Sequence, residues 1–452
     1  MKKKVVFLFP WKEVSGGPMY LSRLANSLSL DPQYEVWYVD YKYGLTTNLL
    51  DLSYVHQIVY KEPFEFPIKE PVTLVVPIYC ASHIPQMHPD SKILFVNWHN
   101  YCIQAFCDIW RPSEESLQEF LRMVHRTQSV TFVDRAHWLA QNSWIKPNSA
   151  YKFSEQYVPL TIGERNLRSP SNLICTGEIH LGILGRLCDD KIYTVINLLK
   201  QLDSLPTLLE KHLHVIGEGD KANLLYDVIK EIKSVKVHMV GTITGNYLSQ
   251  YLSSHVDILF GMGLSILEGA AIGLPSVIAP HNVVPFSSNA YVLLNNSRGY
   301  ALGWYDSQIE DMAVPVNTLE EIVNMVYLSN RKSQLGELAI QYIRTHHSDN
   351  LQLFQLYLEN TQLRYQEFHS FASKQGIIRI LGIPIAKLRS SFDENEKFVD
   401  LLWIKNFFCS IKRDNKKEFI LMGHKQNIIT AKKVGDSYRL FICGIRIPFL
   451  KL

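Results

Sequence analysis

Residues Val256–Pro280 read VDILFGMGLSILEGAAIGLPSVIAP, and the fold is decided by how this stretch is parsed. Val256 to Phe260 is a short apolar run of the kind that forms a buried strand. Gly261-Met-Gly263-Leu264 follows as a turn with little side-chain bulk. Ser265 then opens a helix. Ser265 to Glu268 fits a capping box, Ile266, Leu267, Ala270 and Ala271 form an apolar stripe, and Gly273 followed by Pro275 ends it. Ser276 to Ala279 begins the next strand. A strand, a glycine turn and a helix N-terminus in succession suit an anion, because unpaired backbone N–H groups and the helix dipole both favour negative charge there. Glu268 has two readings at this point: a carboxylate that reaches back to the Ser265 N–H, or one that serves a ligand.

Around that stretch, length and composition set limits. A chain of 452 residues is too long for one core and predicts two domains with an addition. Its 47% hydrophobic and 20% charged content is that of an ordinary soluble protein. No apolar run is long enough to span a bilayer, and the start, MKKKVVFLFPW, passes from lysines straight into a strand without a cleavable leader, so a cytoplasmic location is expected. The seven cysteines (80, 102, 107, 175, 188, 409 and 443) are scattered and contain no C-x-x-C pair, which argues for reduced thiols and against a disulfide framework or a zinc site. Charge is uneven. From Ser370 onward there are 16 Lys and Arg against 7 Asp and Glu, leaving 30 basic and 36 acidic side chains before it. The tail therefore reads as a separate basic module.

In order, the chain predicts a strand over Val5–Phe9, a loop containing Ser15-Gly16-Gly17, a helix over Met19–Leu30 and a strand over Glu35–Val39. That unit is the building block of a doubly wound parallel sheet. Further strands are expected at Thr73–Val76, Ile93–Val96 and Val130–Val133, with a helix over Ser116–His125. Trp98-His99-Asn100 falls at the carboxyl end of one of these strands, where ligands of such sheets bind. The polar stretch Gly163–Gly177 reads as an interdomain linker. A second α/β unit begins at Ile179. Strand Leu181–Leu184 leads into Gly185-Arg186-Leu187 and Lys191, then a helix over Thr194–Leu202, strand Leu213–Ile216 with Gly217-Glu-Gly219, strand Val235–Val240, and a helix near Tyr247–Leu252. Gly217, Gly219 and Ala222 nominally fit a dinucleotide pattern, but no acidic residue follows at a strand end to hold a ribose, which disfavours a dehydrogenase.

Two doubly wound domains, with GRL and a following Lys, then GEG, then a glycine turn before ILEGAAIGLPSVIA, resemble the GT-B glycosyltransferases. The likeness is to the retaining, nucleotide-sugar-dependent members that build bacterial surface glycans, and it covers roughly residues 1 to 369. It implies an α/β fold of two Rossmann-like domains facing a central cleft: residues 1–162 as the acceptor domain, 163–345 as the nucleotide-sugar domain, and 346–369 as a helix crossing back, before a basic extension over 370–452. It also implies roles. Gly16 and Gly17 would face the donor diphosphate and sugar, Arg186 and Lys191 would neutralise the diphosphate, and His99 would lie beside donor sugar and acceptor as the catalytic residue. The amides of Gly263, Leu264 and Ser265 would hold phosphate. In the family's Glu, seven residues, Glu signature, the second Glu matches Glu268 and would hold the ribose. The first would fall at Phe260, and the turn before the helix is shorter than the family's. The same turn also looks like that of the transferase completing the lipid-linked peptidoglycan disaccharide, and that of the UDP-sugar 2-epimerases.

The chemistry implied is electrostatic. Fixed donors and cations meeting the charge of a leaving nucleoside diphosphate can supply several kcal/mol. Closure of the two domains about the linker would exclude water and limit hydrolysis of the donor. Backbone amides rather than a metal would hold the phosphates, since no paired-carboxylate motif for Mg2+ is present, so no cofactor or metal is expected. The expected partners are a nucleotide-sugar donor and a glycan or lipid-linked acceptor of capsule or lipopolysaccharide. In the tail, GIPIAKL (Gly382–Leu388) and GIRIPFLKL (Gly444–Leu452) are related segments, and Phe398–Ile411 adds Trp403, Phe407 and Phe408. Two readings stand for it: a small folded appendage with solvated charges, or a peripheral contact with the anionic inner face of the plasma membrane, each basic residue contributing roughly 1 kcal/mol. Nucleic acid is disfavoured, as no helix-turn-helix, zinc or RNP-type pattern occurs. Two alternatives to transfer remain, a nucleotide-sugar 2-epimerase and a non-catalytic nucleotide-sugar-binding protein.

Overall fold

The computed structural model describes residues 2–12, 16–61, 64–110, 112–147, 149–162 and 177–375, and, as backbone, the strands that lie between residues 377 and 451. The expected linker at 163–176, Ser15 and Trp403 fall outside the described residues. Two compact units divide the chain: Met1–Thr131 with Gln141–Ser154 and Gln355–Leu452, and Phe132–Ala140 with Glu155–Phe354.

The first unit contains β1 (Lys3–Leu8), α1 (Gly16–Ser29), β2 (Tyr34–Asp40), β3 (Val55–Val59), β4 (Thr73–Val76), β5 (Lys92–Asn97), α2 (Cys102–Trp110), α3 (Glu114–Arg126) and β6 (Val130–Phe132), whose last residue passes to the second unit. The strands form one six-stranded sheet in the order β3-β2-β1-β4-β5-β6, with parallel ladders from β3 through β5. Val5, Val6, Phe7 and Leu8 of β1 are all buried, which is why that strand reads as a continuous apolar run rather than an alternating one. Leu21, Leu24, Ala25 and Leu28 form the buried stripe of α1. Helix α3 begins two residues before the expected Ser116. Ser113 caps it by accepting the Ser116 N–H at 3.2 Å, and Glu114 and Glu115 in its first turn suit the dipole. Strand β3 was not anticipated. Along VHQIV at the sheet edge only Val55 and Ile58 are buried, too weak an apolar signal to read unaided.

The chain enters the second unit with the start of α4 (Arg135–Trp144), whose residues from Gln141 on belong to the first unit, and the second unit continues with β7 (Glu178–Leu184), α5 (Ile192–Ser204), β8 (Glu210–Ile216), α6 (Ala222–Ile229), β9 (Val235–Gly241), α7 (Gly245–His255), β10 (Ile258–Gly261), α8 (Leu264–Ala271), β11 (Ser276–Ile278), β12 (Val292–Leu293), α9 (Ile309–Met312), α10 (Leu319–Val323) and α11 (Lys332–His346). The sheet order is β12-β11-β10-β7-β8-β9, parallel apart from the short β11–β12 pair. One face packs Leu181, Ile183, Leu213, Val215, Ile258 and Phe260 into a core with α5. Each fully buried side chain of this size contributes about 1.5–3 kcal/mol. A buried ion pair ties β10 to α11: Lys332 Nζ lies 2.5 Å from Asp257 Oδ1, and the Tyr327 hydroxyl donates to Oδ2 at 2.9 Å while accepting the His180 N–H at 2.7 Å.

The chain returns through α12 (Leu351–Asn360) and α13 (Tyr365–Ala372) to the first unit. The basic tail then forms an eight-stranded antiparallel sheet, β13 (Ile377–Ile380), β14 (Ile383–Ser390), β15 (Glu396–Leu401), β16 (Ile404–Arg413), β17 (Lys416–Leu421), β18 (Ile429–Val434), β19 (Ser437–Ile442) and β20 (Ile445–Lys451), each paired with the next. The two related segments of the tail supply β14 and β20. No helix among the described residues is long and apolar enough to cross a membrane.

His347, just beyond α11, is fully buried, and its Nδ1–H donates to the Leu160 carbonyl at 2.7 Å while Nε2 has no hydrogen-bond partner. Burial pushes its pKa down to about 4. Because the folded value lies below the unfolded one of about 6.5, the unfolded chain takes up the proton first, and stability is lost as pH falls between those values by about 1.4 kcal/mol per pH unit. His347→Gln is expected to flatten that part of the profile, which urea unfolding from pH 7 to pH 4.5 reads directly. An unchanged slope in the variant would remove His347 as its cause.

Candidate functional site

Strand order reverses between β7 and β10 in the second sheet, so the loops after these two strands diverge to opposite faces and leave a crevice at their carboxyl ends. Four sequence features meet at this edge. After β7 comes Gly185-Arg186-Leu187, after β8 Gly217-Glu218-Gly219, after β9 Thr242, and after β10 Met262-Gly263. Backbone bonds interlock the first three loops: Gly185 N–H to the Ile216 carbonyl (3.0 Å), Leu187 N–H to the Glu218 carbonyl (2.9 Å), Lys221 N–H to the Leu187 carbonyl (3.0 Å) and Gly217 N–H to the Gly241 carbonyl (2.8 Å). A pocket here is lined by Gly185, Arg186, Leu187, Lys191, Thr194 and Gly261, among others.

Arg186 is exposed at this edge and Lys191 is half-buried, directly preceding α5. Their surroundings carry carboxylates as well. Asp189 pairs with Lys221 at 3.1 Å. Burial opposes ionisation of Asp190, yet the Cys188 thiol, donating at 2.8 Å, and the Lys191 charge hold its carboxyl below the usual range. The same burial, with the Asp190 charge, pushes the Cys188 thiol up. Asp190 and Cys188 were not singled out from sequence, although the run CDDK displays both.

Helix α8 corrects one expectation. It begins at Leu264, not Ser265, and Gly263 is its N-cap with no side-chain cap, so the Ser265–Glu268 capping box does not form. Gly263 sits at φ +60°, ψ −140°, a conformation that side chains other than glycine's rarely adopt. The turn therefore presents the Leu264 and Ser265 amides as the first turn of the helix. Glu268 lies one turn further along, half-buried. Phe260 is fully buried in β10, its ring 5.3 Å from Tyr291 in an edge-on arrangement.

The first unit carries the other predicted residues. Gly16 is exposed at the start of α1, and Gly17 is buried there. A Cβ at Gly17 would come within 2.4 Å of the Trp98 indole, which sits in an aromatic cluster with Phe9, Tyr20 and Tyr79. His99 follows β5, exposed, its Nδ1 accepting the Tyr101 N–H at 3.3 Å. Gln141, from α4, holds that turn: its Nε2 donates to the His99 carbonyl at 2.9 Å and its Oε1 accepts the Ile103 N–H at 2.7 Å. Asp40 does the same for the loop after β1, accepting the backbone N–H groups of Trp11 (2.9 Å), Tyr41 (2.8 Å) and Thr46 (3.1 Å). Its pKa is raised by burial against the opposing pull of those bonds. Neither Gln141 nor Asp40 carries a sequence signal, because Gln141 acts through residues 38 and 42 positions away and Asp40 ties its neighbours Tyr41 and Thr46 to Trp11, 29 positions back.

No protein-family model matches this chain, and no curated protein matches it. Solved structures do. A glycosyltransferase from Rickettsia africae ESF-5 superposes with a TM-score of 0.50 at 12% identity, over 80% of this chain and 99% of that one. Anabaena HepE in complex with UDP and glucose gives 0.47 at 12% identity, over 79% and 98%. WaaG, a glycosyltransferase involved in lipopolysaccharide biosynthesis, gives 0.43 at 14%, over 79% and 99%. At these identities the likeness is one of fold, and together with the two reversing strand orders it makes the chain a two-domain GT-B protein.

Gly263→Ala tests the turn. Forcing a side chain into this conformation costs about 1–3 kcal/mol, so the variant is expected to unfold at lower urea than the wild type by that amount. Equal midpoints would mean that the turn does not depend on glycine.

Proposed function

We propose that the protein is a glycosyltransferase that moves a sugar from a nucleoside-diphosphate donor to a glycan or lipid-linked acceptor of a bacterial surface polysaccharide, capsule or lipopolysaccharide. The observation that carries this reading is the carboxyl edge of the second sheet at its β7/β10 switch point, where Arg186 and Lys191 stand on one side and the uncapped start of α8 on the other. A diphosphate has the charge and size for such an edge. In this reading the Leu264 and Ser265 amides and the two cations hold the phosphates, and Glu268 takes the ribose hydroxyls; the Gly263 amide, expected from the sequence to join them, instead donates to the Leu302 carbonyl at 2.8 Å. As the bond to the sugar breaks, charge builds on the departing diphosphate, and fixed donors in place beforehand lower that barrier by several kcal/mol. Gly16, Gly17 and His99 belong to the acceptor-binding unit, with His99 as the catalytic residue. The basic tail serves as a peripheral membrane contact near a lipid-linked acceptor.

A second reading, nucleotide-sugar binding without turnover, is favoured by one observation: the edge between Phe260 and Glu268 offers no other carboxylate. Turnover with acceptor extracts separates the two.

Thermal unfolding with UDP, GDP, ADP and CMP tests the donor site. A ligand at one hundred times its dissociation constant stabilises the folded state by about 2.7 kcal/mol. One of the four nucleotides is expected to raise the wild-type midpoint, and Arg186→Ala and Glu268→Gln are expected to abolish that rise. If none of the four shifts the wild type, the proposal fails.

Because amides and cations hold the phosphates in this scheme, sugar transfer is expected to persist in EDTA at temperatures well below unfolding. Complete loss on chelation, restored by a divalent ion, would assign the diphosphate to a metal instead.

A further inference from the structure

Two adjacent strands of the second sheet open with the same spacing, Glu178-Ile-His180 in β7 and Glu210-Lys-His212-Leu-His214 in β8. Alternation along a strand puts all five polar residues on one face. The register sets Glu178 beside Glu210 and His180 beside His212, and His214 beside His238 of β9. The imidazoles stack across the strands, His180 on His212 at 4.4 Å and His214 on His238 at 4.5 Å between ring centres.

From this arrangement we propose that Glu178, His180 and His212 bind one divalent transition ion of zinc's chemistry. One ligand atom from each of the three lies within 4.8 Å of the others. Bonds of about 2.0–2.2 Å around a tetrahedral ion need donor atoms about 3.4 Å apart, which modest rotation of the Glu178 side chain and the two rings supplies. Nε2 is the nitrogen each ring turns toward the site, because His180 Nδ1 faces His214 Nε2 at 3.1 Å and His212 Nδ1 faces His238 Nε2 at 2.9 Å; His180 Nε2 already meets Glu178 Oε2 at 3.0 Å, a contact that an ion would bridge. With an ion on Nε2, each Nδ1 carries the proton and donates it to the next histidine, and His214 Nδ1–H in turn donates to the Tyr251 hydroxyl at 2.8 Å. Metal-bound histidines are oriented by this kind of outer hydrogen bond.

A second observation points to the same place. His212 is 7% exposed, and its Nε2 makes no hydrogen bond. The Glu210 carboxylate lies 3.3 Å away but is already paired with Lys236. A ring nitrogen buried without a hydrogen bond is costly, and a bound ion satisfies it. Glu178, 39% exposed, leaves a fourth position toward water.

The site stands at the amino ends of β7 and β8. Five residues separate His180 from Gly185, about 16 Å along a strand, so the ion touches nothing bound at the carboxyl edge. Its effect is to staple β7 to β8, independent of whether the chain transfers sugar.

The test uses the untagged full chain, stripped with EDTA, dialysed, and titrated with Zn2+ by calorimetry and with Co2+ by visible absorption. Uptake of one ion per chain is expected, with a Co2+ spectrum of low-coordinate nitrogen and oxygen ligation and a Zn2+-dependent rise in the unfolding midpoint that Mg2+ does not produce. Glu178→Gln, on a partly exposed side chain that the fold does not need, and His180→Gln are each expected to weaken Zn2+ binding at least tenfold and to remove the rise. The unfolding midpoints without metal show whether the variants fold. No uptake, or uptake of equal strength in the folded variants, overturns the proposal.

Discussion

The hydrogen bond from the Gly185 N–H to the Ile216 carbonyl begins a chain of backbone contacts on which the carboxyl edge of the second sheet depends. Parallel strands deliver all their following loops to one edge, and loops left there singly would expose their backbone to water and move. Here the loop after β7 bonds to the loop after β8, and that in turn to the end of β9. The consequence is a set of turns fixed by main-chain geometry, so Arg186 and Lys191 project from a frame that does not rely on their own side chains. An edge prepared this way pays little reorganisation when an anion arrives, which is the condition for electrostatic stabilisation of a leaving group.

The same sheet is unusual on its other side. Strands of a parallel sheet are normally apolar on both faces, and one face here obeys that rule through Leu181, Ile183, Leu213 and Val215. The opposite face carries histidines at the amino half and returns to apolar packing only toward the carboxyl half, where Ile216 and Leu259 meet Leu248 and Leu252 of α7. Buried polar groups are tolerated when each finds a partner. The histidines bond to one another and to Tyr251, with His212 Nε2 the exception, and Asp257 is satisfied through Lys332 and Tyr327. The apolar packing of this sheet therefore covers one whole face and the carboxyl half of the other, and leaves the histidines to the amino half.

How much of this was legible follows from the range of the forces involved. Buried strands such as β1, β4 and β5 announce themselves because burial on both faces leaves an uninterrupted apolar run. The start of α8 was misread by one residue: Ser265 is a good capping residue, but the conformation of Gly263 sets the helix one position earlier, and backbone angles are not written in a residue pattern. Gly17 was read as a phosphate-facing residue, and the structure adds a packing reason for it, the indole of Trp98 lying where a side chain would go. Asp40 and Gln141 stayed invisible because their partners lie 29 and 38 residues away in sequence at Trp11 and Ile103. The histidine face was within reach of sequence reasoning. E-x-H and E-x-H-x-H have strand periodicity, but a metal search led by cysteines passed over it. The tail's meander was missed because its lysines were read as one charge block, when they are interspersed with the aliphatic residues that form strands.

Phe260 shows why counting along a sequence is weaker than placing residues on a strand. Counting eight positions back from Glu268 reaches 260, which in the family resemblance is a loop residue beside the donor sugar. In this chain it is a strand residue, paired in register with Ile183 and Val277 and packed edge-on against Tyr291. A carboxylate at that point would be buried among apolar side chains at a cost of several kcal/mol and would face no ligand. The turn between β10 and α8 is short, so the strand extends to Gly261 and leaves only Met262 and Gly263 before the helix. Any polar contact to a sugar at this edge would then come from the loops after other strands, which carry Asp190 and Glu218 beside Asp189 and Asp220, the last two paired with Lys221. In the proposed transferase, donor choice would accordingly be a property of the loops after β7 and β8, and not of the helix that its most recognisable motif encodes.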